Sequence, residues 1–180
     1  MDESSEPKPK LQRRILIATD GSKAAENVVD FGMEIAGYSG AKVYALYVID
    51  ISFLDSVLMD ESWVKNVYEQ FERVGRDAIC CIEEKAKATG VEAVPILLKG
   101  NTAEKILDFA ENQKVDMIVI GSTGKSEIKR FMLGSVSEKV VRNSKIPVLV
   151  VHQRVRPKSF VRCGQEEKEI SSSIASNETK

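Results

Sequence analysis

Short, wholly apolar runs alternate with longer stretches of helical periodicity, and this alternation restricts the chain more than any single motif. Ile15-Leu-Ile-Ala18 and Met117-Ile-Val-Ile120 contain no polar residue. A strand apolar at every position is covered on both faces, which is the condition of a strand in a parallel sheet. The second run belongs to a strand from Val115 to Ile120, and Lys42 to Ile49, Val91 to Leu98 and Pro147 to Val151 read as further strands. Between them, apolar residues recur at helical spacing. Ala25, Val28, Val29, Gly32, Ile35 and Ala36 share one face of a helix that runs to about Tyr38 and is ended by Ser39-Gly40. A long helix from about Ser62 to Ala88 carries the stripe Val64, Val67, Tyr68, Phe71, Val74, Ala78, Cys81, Ile82 and Ala86, and Thr89-Gly90 stops it. Asn101 and Glu104 have capping-box spacing for a third helix, with Ile106, Leu107 and Ala110 inward. Ser135-Val-Ser-Glu138 has the same spacing, which places Ser135 as the cap of a fourth.

Strand and helix in alternation imply right-handed crossovers and a parallel sheet between two helical layers. Pro95 and Pro147 cannot donate to a ladder, so their strands suit the edges. With strands three and five at the edges, the order 3-2-1-4-5 follows, in a three-layer αβα sandwich with a five-stranded parallel sheet. Ligands of such sheets bind beyond the carboxyl ends of the strands, where the strand order reverses. Here that point lies between strands one and four, where Thr19-Asp20 would face Gly121 and Gly124.

Length bounds the domain organisation: 180 residues suit one domain with two tails. Residues 1–11 read as a loose lead-in, 12–152 as the domain, and 153–180 as a polar, disordered tail ending in a serine-rich stretch. The net charge is −1, without the concentrated positive face that nucleic acid requires. No apolar run approaches a membrane span. The first ten residues carry no apolar core of a secretory signal, so the chain is read as cytoplasmic. Cys80, Cys81 and Cys163 lack CxxC spacing, which indicates neither zinc nor a dithiol pair, and Cys80 and Cys81 are expected as small buried side chains. His152 is the sole histidine and reads as a strand-end residue; no Gly-x-Ser-x-Gly precedes it.

The chemistry concentrates in Gly121-Ser-Thr-Gly124-Lys-Ser126 and the Gly134-Ser135 that follows. Gly124-Lys125-Ser126 looks like the end of a P-loop, but the first glycine of that motif would fall at Val119, inside a strand. The dinucleotide fingerprint Gly-x-Gly-x-x-Gly is also absent. What stands is Gly-x2-Gly-x9-Gly-Ser at Gly121, Gly124, Gly134 and Ser135. Glycines let backbone N–H groups approach a ligand closely, and a helix N-terminus offers unpaired N–H groups to phosphate.

This pattern resembles the nucleotide-binding branch of the universal stress protein family. Ile15-Leu-Ile-Ala-Thr-Asp-Gly-Ser22, Leu46-Tyr-Val-Ile-Asp50 and Ile146-Pro-Val-Leu-Val-Val151 resemble its first strand and turn, second-strand end and last strand. The resemblance implies an adenine nucleotide alpha hydrolase-like fold holding ATP, AMP or ADP, with Mg2+ bridging phosphates. It implies Asp20 on the ribose hydroxyls with Ala18 and Thr19 beside it, and Val48 backbone groups on adenine. Gly121 and Ser122 would flank ribose and the first phosphate, and Gly124, Lys125 and Ser126 would wrap the phosphates. Gly134 would let the chain close in, while Ser135, Val136 and Ser137 would donate N–H or hydroxyl groups to the outer phosphates. It also implies a homodimer through the last strand, Pro147 to Val151.

Two readings of Asp20 stand: a helix cap, or a nucleoside ligand. For the whole chain, the leading reading is an ATP-binding regulatory protein of the stress response, with bound nucleotide as a switch. The alternatives are an interaction module for an unidentified protein partner, without nucleotide turnover, and a slow, partner-dependent ATPase. No residue is identified as a general base. The segment 50–62 is read as a short helix or a folded loop over the top of the sheet, a candidate lid for the adenine pocket.

Overall fold

The computed structural model describes residues 13–50, 60–122 and 133–152. The expectations placed on the lead-in 1–11, on residues 51–59 of the segment read as a lid, and on the tail 153–180 lie outside the described residues. Five strands are present: β1 (Arg14–Ala18), β2 (Lys42–Ile49), β3 (Ala93–Lys99), β4 (Met117–Gly121) and β5 (Val148–Val151). They form one parallel sheet in the order β3-β2-β1-β4-β5, as the edge prolines require. The helices are α1 (Lys23–Ser39), α2 (Glu61–Thr89), α3 (Thr102–Asn112) and α4 (Ser135–Asn143).

Side chains of β1 alternate between two cores, because successive residues of a strand point to opposite faces. Ile15 and Ile17 pack with Val28, Val29 and Met33 of α1 and with Ile79 and Ile82 of α2. Leu16, between them, packs with Ala103 and Ile106 of α3 and Val140 of α4. The central strands are therefore apolar throughout because each face has its own helical layer.

Helix ends follow local chemistry. Ser22 caps α1, accepting from the Ala25 N–H, and Asn101 caps α3, accepting from the Glu104 N–H. Gly40 and Gly90 end α1 and α2 in the left-handed region, at φ 63° and 69°. Val91 donates its N–H to the Ala86 carbonyl at 3.0 Å, so it closes α2 instead of opening β3, which begins at Ala93. Val115 likewise donates to Ala110 and closes α3, and β4 begins two residues later.

The inward face of α2 differs from the expected stripe. Val74 is 42% exposed, whereas Gly75 and Ile79 are buried. Gly75 faces inward because α2 lies directly on Tyr47 and Leu97: a Cβ there would stand 2.7 Å from the Tyr47 ring and 2.8 Å from Leu97. A counting rule for apolar residues overlooks a glycine selected by close approach. Cys80 and Cys81 are also not both buried; Cys80 is exposed and Cys81 half-buried. Adjacent helical residues are about 100° apart, so they cannot share an inward direction.

Two glycines predict opposite outcomes. Gly75→Val overpacks the α2–sheet contact and should lower stability by about 1–3 kcal/mol. Gly37, in α1, is exposed and has only Val91 near its would-be Cβ, at 4.0 Å. Gly37→Ala should therefore raise stability by up to about 1 kcal/mol through helix propensity. Thermal and urea unfolding of both variants check the pair.

Candidate functional site

Between β1 and β4 the chain crosses from one helical layer to the other, and the carboxyl ends of the strands diverge around a cavity of about 390 Å³. Such a reversal opens a crevice because the two connecting loops leave in opposite directions. Ala18, Thr19 and Asp20 reach this cavity from the end of β1, Val48 from β2, and Gly121 from β4. Gly134, Ser135, Val136 and Ser137 line it from the start of α4. Ser122 is buried beside it and is not part of the lining. Gly124, Lys125 and Ser126 lie outside the described residues.

The β1–α1 turn sets Asp20. Gly21 donates its N–H to the Thr19 hydroxyl and has φ 72°, which turns the chain sharply. The Asp20 Oδ1 accepts from the Ser22 N–H at 3.0 Å and from the Ser22 hydroxyl at 2.6 Å. Ser22, and not Asp20, is the helix cap; Asp20 orients the capping residue. Its Oδ2 is buried and has no hydrogen-bond partner among the described residues. An unsatisfied buried carboxylate oxygen is destabilising by about 1–3 kcal/mol or more, so its position beside a cavity calls for a donor from a ligand or water.

At the other wall, hydrogen bonds tie the end of β4 to β5 and to the start of α4. The Ser122 N–H donates to the Val151 carbonyl at 2.9 Å, and the Gly134 N–H donates to the Ser122 carbonyl at 2.7 Å. The two ends of the glycine loop, residues 122 and 134, are thus held together. The Ser137 hydroxyl donates to the Gly121 carbonyl at 2.6 Å. A serine has one hydroxyl hydrogen. That hydrogen is engaged within the fold, so Ser137 can offer the cavity its N–H but not the hydroxyl donor expected from the sequence.

The start of α4 also corrects the sequence reading. Gly134 is the N-cap, Ser135 is the first helical residue, and no side chain caps this end. The first intrahelical bond runs from the Glu138 N–H to the Gly134 carbonyl at 2.8 Å. The capping-box spacing of Ser135 and Glu138 is therefore not used, because the Gly134–Ser122 bond already fixes where the helix begins. An α-helix leaves its first N–H groups without intrahelical acceptors, and here they belong to residues that line the cavity.

Several lining residues were not singled out for the site from sequence. Leu46, Ile106 and Ile120 form apolar wall, and Phe71 and Tyr47 close the side toward α2. Phe71 and Ile106 were legible only as core residues of their helices, since an inward stripe looks the same whether it meets a strand or a cavity. Asp50 and Thr102 add polar groups, with the Thr102 hydroxyl donating to the Asp50 Oδ2 at 3.2 Å. Asp50 follows β2 much as Asp20 follows β1, and that parallel was the one signal available.

The shifted helix start separates the two serines of α4. Ser135→Ala removes an exposed hydroxyl that caps nothing and should change stability by less than about 0.5 kcal/mol. Ser137→Ala takes the hydroxyl donor away from the part-buried Gly121 carbonyl and should reduce stability by about 1–2 kcal/mol. Urea denaturation of both variants measures the difference.

Comparison with known proteins bears on the same residues. The model of the universal stress protein family matches residues 12–152. Universal stress protein MJ0531 of Methanocaldococcus jannaschii is 38% identical over 141 residues, covering 78% of this chain and 82% of that protein. The solved structure of MJ0577 of the same organism superposes with a TM-score of 0.69 at 30% identity, over 82% of this chain and 99% of that one. A universal stress protein solved in complex with cAMP gives a TM-score of 0.58 at 26% identity, over 79% of this chain and 98% of that one. With strand order, crevice and glycine spacing in place and the match spanning the domain, the chain belongs to the universal stress protein family.

Proposed function

We propose that this protein is an adenine-nucleotide-binding regulator, with ATP as its ligand in the crevice between β1 and β4. The observation that carries the reading is the Asp20 Oδ2, buried beside the cavity without a donor among the described residues. A vicinal diol is the ligand group that suits a carboxylate there, since it supplies O–H donors and can share the two oxygens. The family relative solved with cAMP supports the same class of ligand.

In this reading the phosphates meet the first turn of α4. Ser135, Val136 and Ser137 present N–H groups there, and Gly134 and Gly121 admit close approach. Gly124, Lys125 and Ser126 would complete the wrap; that assignment rests on the sequence motif. Ala18 and Thr19 flank the sugar, and Val48 offers backbone groups to the base. Ser122 acts from beneath, through its bonds to Val151 and Gly134. Mg2+ would enter with the phosphates. Among the described residues no cluster of three or more His, Cys, Asp or Glu side chains is placed to hold a metal ion by itself.

The regulatory part of the proposal follows from the Ser122–Gly134 bond. It closes the glycine loop at its base, so the number of phosphates would change the arrangement within the loop without moving the sheet. Homodimerisation through β5 belongs to the same proposal. This strand ends the sheet order, pairing with β4 on one side. Light scattering that reports a monomer at micromolar concentration would remove that part alone.

The direct test is mass analysis of small molecules released on denaturing the purified protein, followed by calorimetry with ATP and Mg2+. Adenine nucleotide should be released, and the emptied protein should rebind ATP. Asp20→Ala keeps Ser22 as the cap of α1 and should weaken ATP binding by about 10-fold or more, the loss of a hydrogen bond to a charged group. No released nucleotide together with no calorimetric binding would overturn the proposal and leave the interaction module as the reading.

A further inference from the structure

The two oxygens of the Asp20 carboxylate are treated differently by the fold. Oδ1 accepts two hydrogen bonds from one residue, from the Ser22 N–H at 3.0 Å and the Ser22 hydroxyl at 2.6 Å. Oδ2 is buried beside the cavity and has no partner among the described residues. The outer torsion of an aspartate is broad and nearly two-fold, so nothing intrinsic chooses between its oxygens. With a single bond to Oδ1 the carboxylate could still turn about that torsion. Two bonds, from the backbone and the side chain of the same residue, fix its plane. The same plane fixes which oxygen is left for a ligand.

Ser22 can do this because its hydroxyl is held from both sides. The oxygen accepts from the Ala25 N–H at 3.3 Å as the cap of α1, and the single hydroxyl hydrogen goes to Asp20. The turn between Asp20 and Ser22 leans on α2. A Cβ at Gly21 would lie 3.2 Å from Ala78, 3.6 Å from Tyr47 and 3.7 Å from Val74. Ser22 is not part of the cavity lining, whereas Asp20 is. What its hydroxyl hydrogen contributes to a ligand is therefore contributed through Asp20.

On the basis of the proposed nucleotide site, we infer that Ser22 is a positioning residue: its hydroxyl holds the Asp20 carboxylate so that Oδ2 accepts from the sugar diol. The capping hydroxyl of α1 thus has a second task, and the helix start and the ligand contact share one hydrogen-bonded unit. Hydrogen bonds weaken steeply when misaligned. A carboxylate released from Ser22 keeps its charge and loses its direction.

Substitution separates the two tasks of Ser22. Aspartate caps a helix about as well as serine but has no hydrogen to give to Asp20. Threonine keeps both the acceptor and the donor. ATP and 2′,3′-dideoxy-ATP isolate the diol, and the ratio of their affinities cancels changes in the phosphate and base contacts. Calorimetric titration of the full chain should show ATP bound about 10-fold or more tightly than the dideoxy analogue, the worth of a hydrogen bond to a charged group. In Ser22→Asp the ratio should fall at least about 5-fold, and in Ser22→Thr it should stay within about 2-fold of wild type. Circular dichroism establishes that the variants fold, and Ser22→Gly, which also keeps most of the cap, serves where Ser22→Asp does not. A purely structural role for Ser22 would lower both affinities together and leave the ratio unchanged. That result overturns the inference, as does a Ser22→Thr ratio as low as that of Ser22→Asp. A wild-type protein that binds both nucleotides equally overturns the diol contact and the inference with it. One that binds neither overturns the nucleotide site itself, a separate and recognisable outcome.

Discussion

The pairing of β1 with β4, from Ile15–Met117 to Ile17–Val119, is the constraint on which the other features depend. It places two strands side by side whose following helices, α1 and α4, lie on opposite faces of the sheet. Two loops leaving in opposite directions cannot cover the space between them. The crevice is thus a consequence of strand order, and strand order follows from burying a sheet on both faces with right-handed crossovers. Every polar group of the site is carried to this place by one of the elements that meet there.

The walls differ in how they are held. At β1, a short network through Thr19, Asp20, Gly21 and Ser22 fixes a carboxylate and leaves one of its oxygens without a partner among the described residues. At β4, backbone and hydroxyl bonds from Ser122, Gly134 and Ser137 fix a helix start without any side-chain cap. One wall keeps a spare acceptor and the other keeps spare donors. This complementarity is the physical basis for reading the cavity as a receptor for a molecule with hydroxyls at one end and phosphates at the other.

Much of this was legible in the chain. Wholly apolar β1 and β4 segments announced a parallel sheet, Pro95 and Pro147 announced its edges, and the spacing of Gly121, Gly124 and Gly134 announced the loop. The errors share a cause. Val74 in place of Gly75, Cys80 counted as buried, and Ser135 taken as a cap each came from a local rule applied where a distant contact decides. Gly75 faces inward because Tyr47 and Leu97 stand against it. Ser135 is not the cap because Ser122 had already bound Gly134.

Hydrophobic periodicity and turn residues, which act over a few neighbours, were enough for the sequence by itself to determine element type, strand order and the location of the glycine loop. Tertiary structure alone decided which hydroxyl hydrogens were already engaged, which carboxylate oxygen has no partner among the described residues, and that Asp50 and Thr102 meet although 52 positions apart. Hydrogen bonds between distant residues depend on the packed geometry of whole elements, and no local pattern in a sequence encodes that geometry.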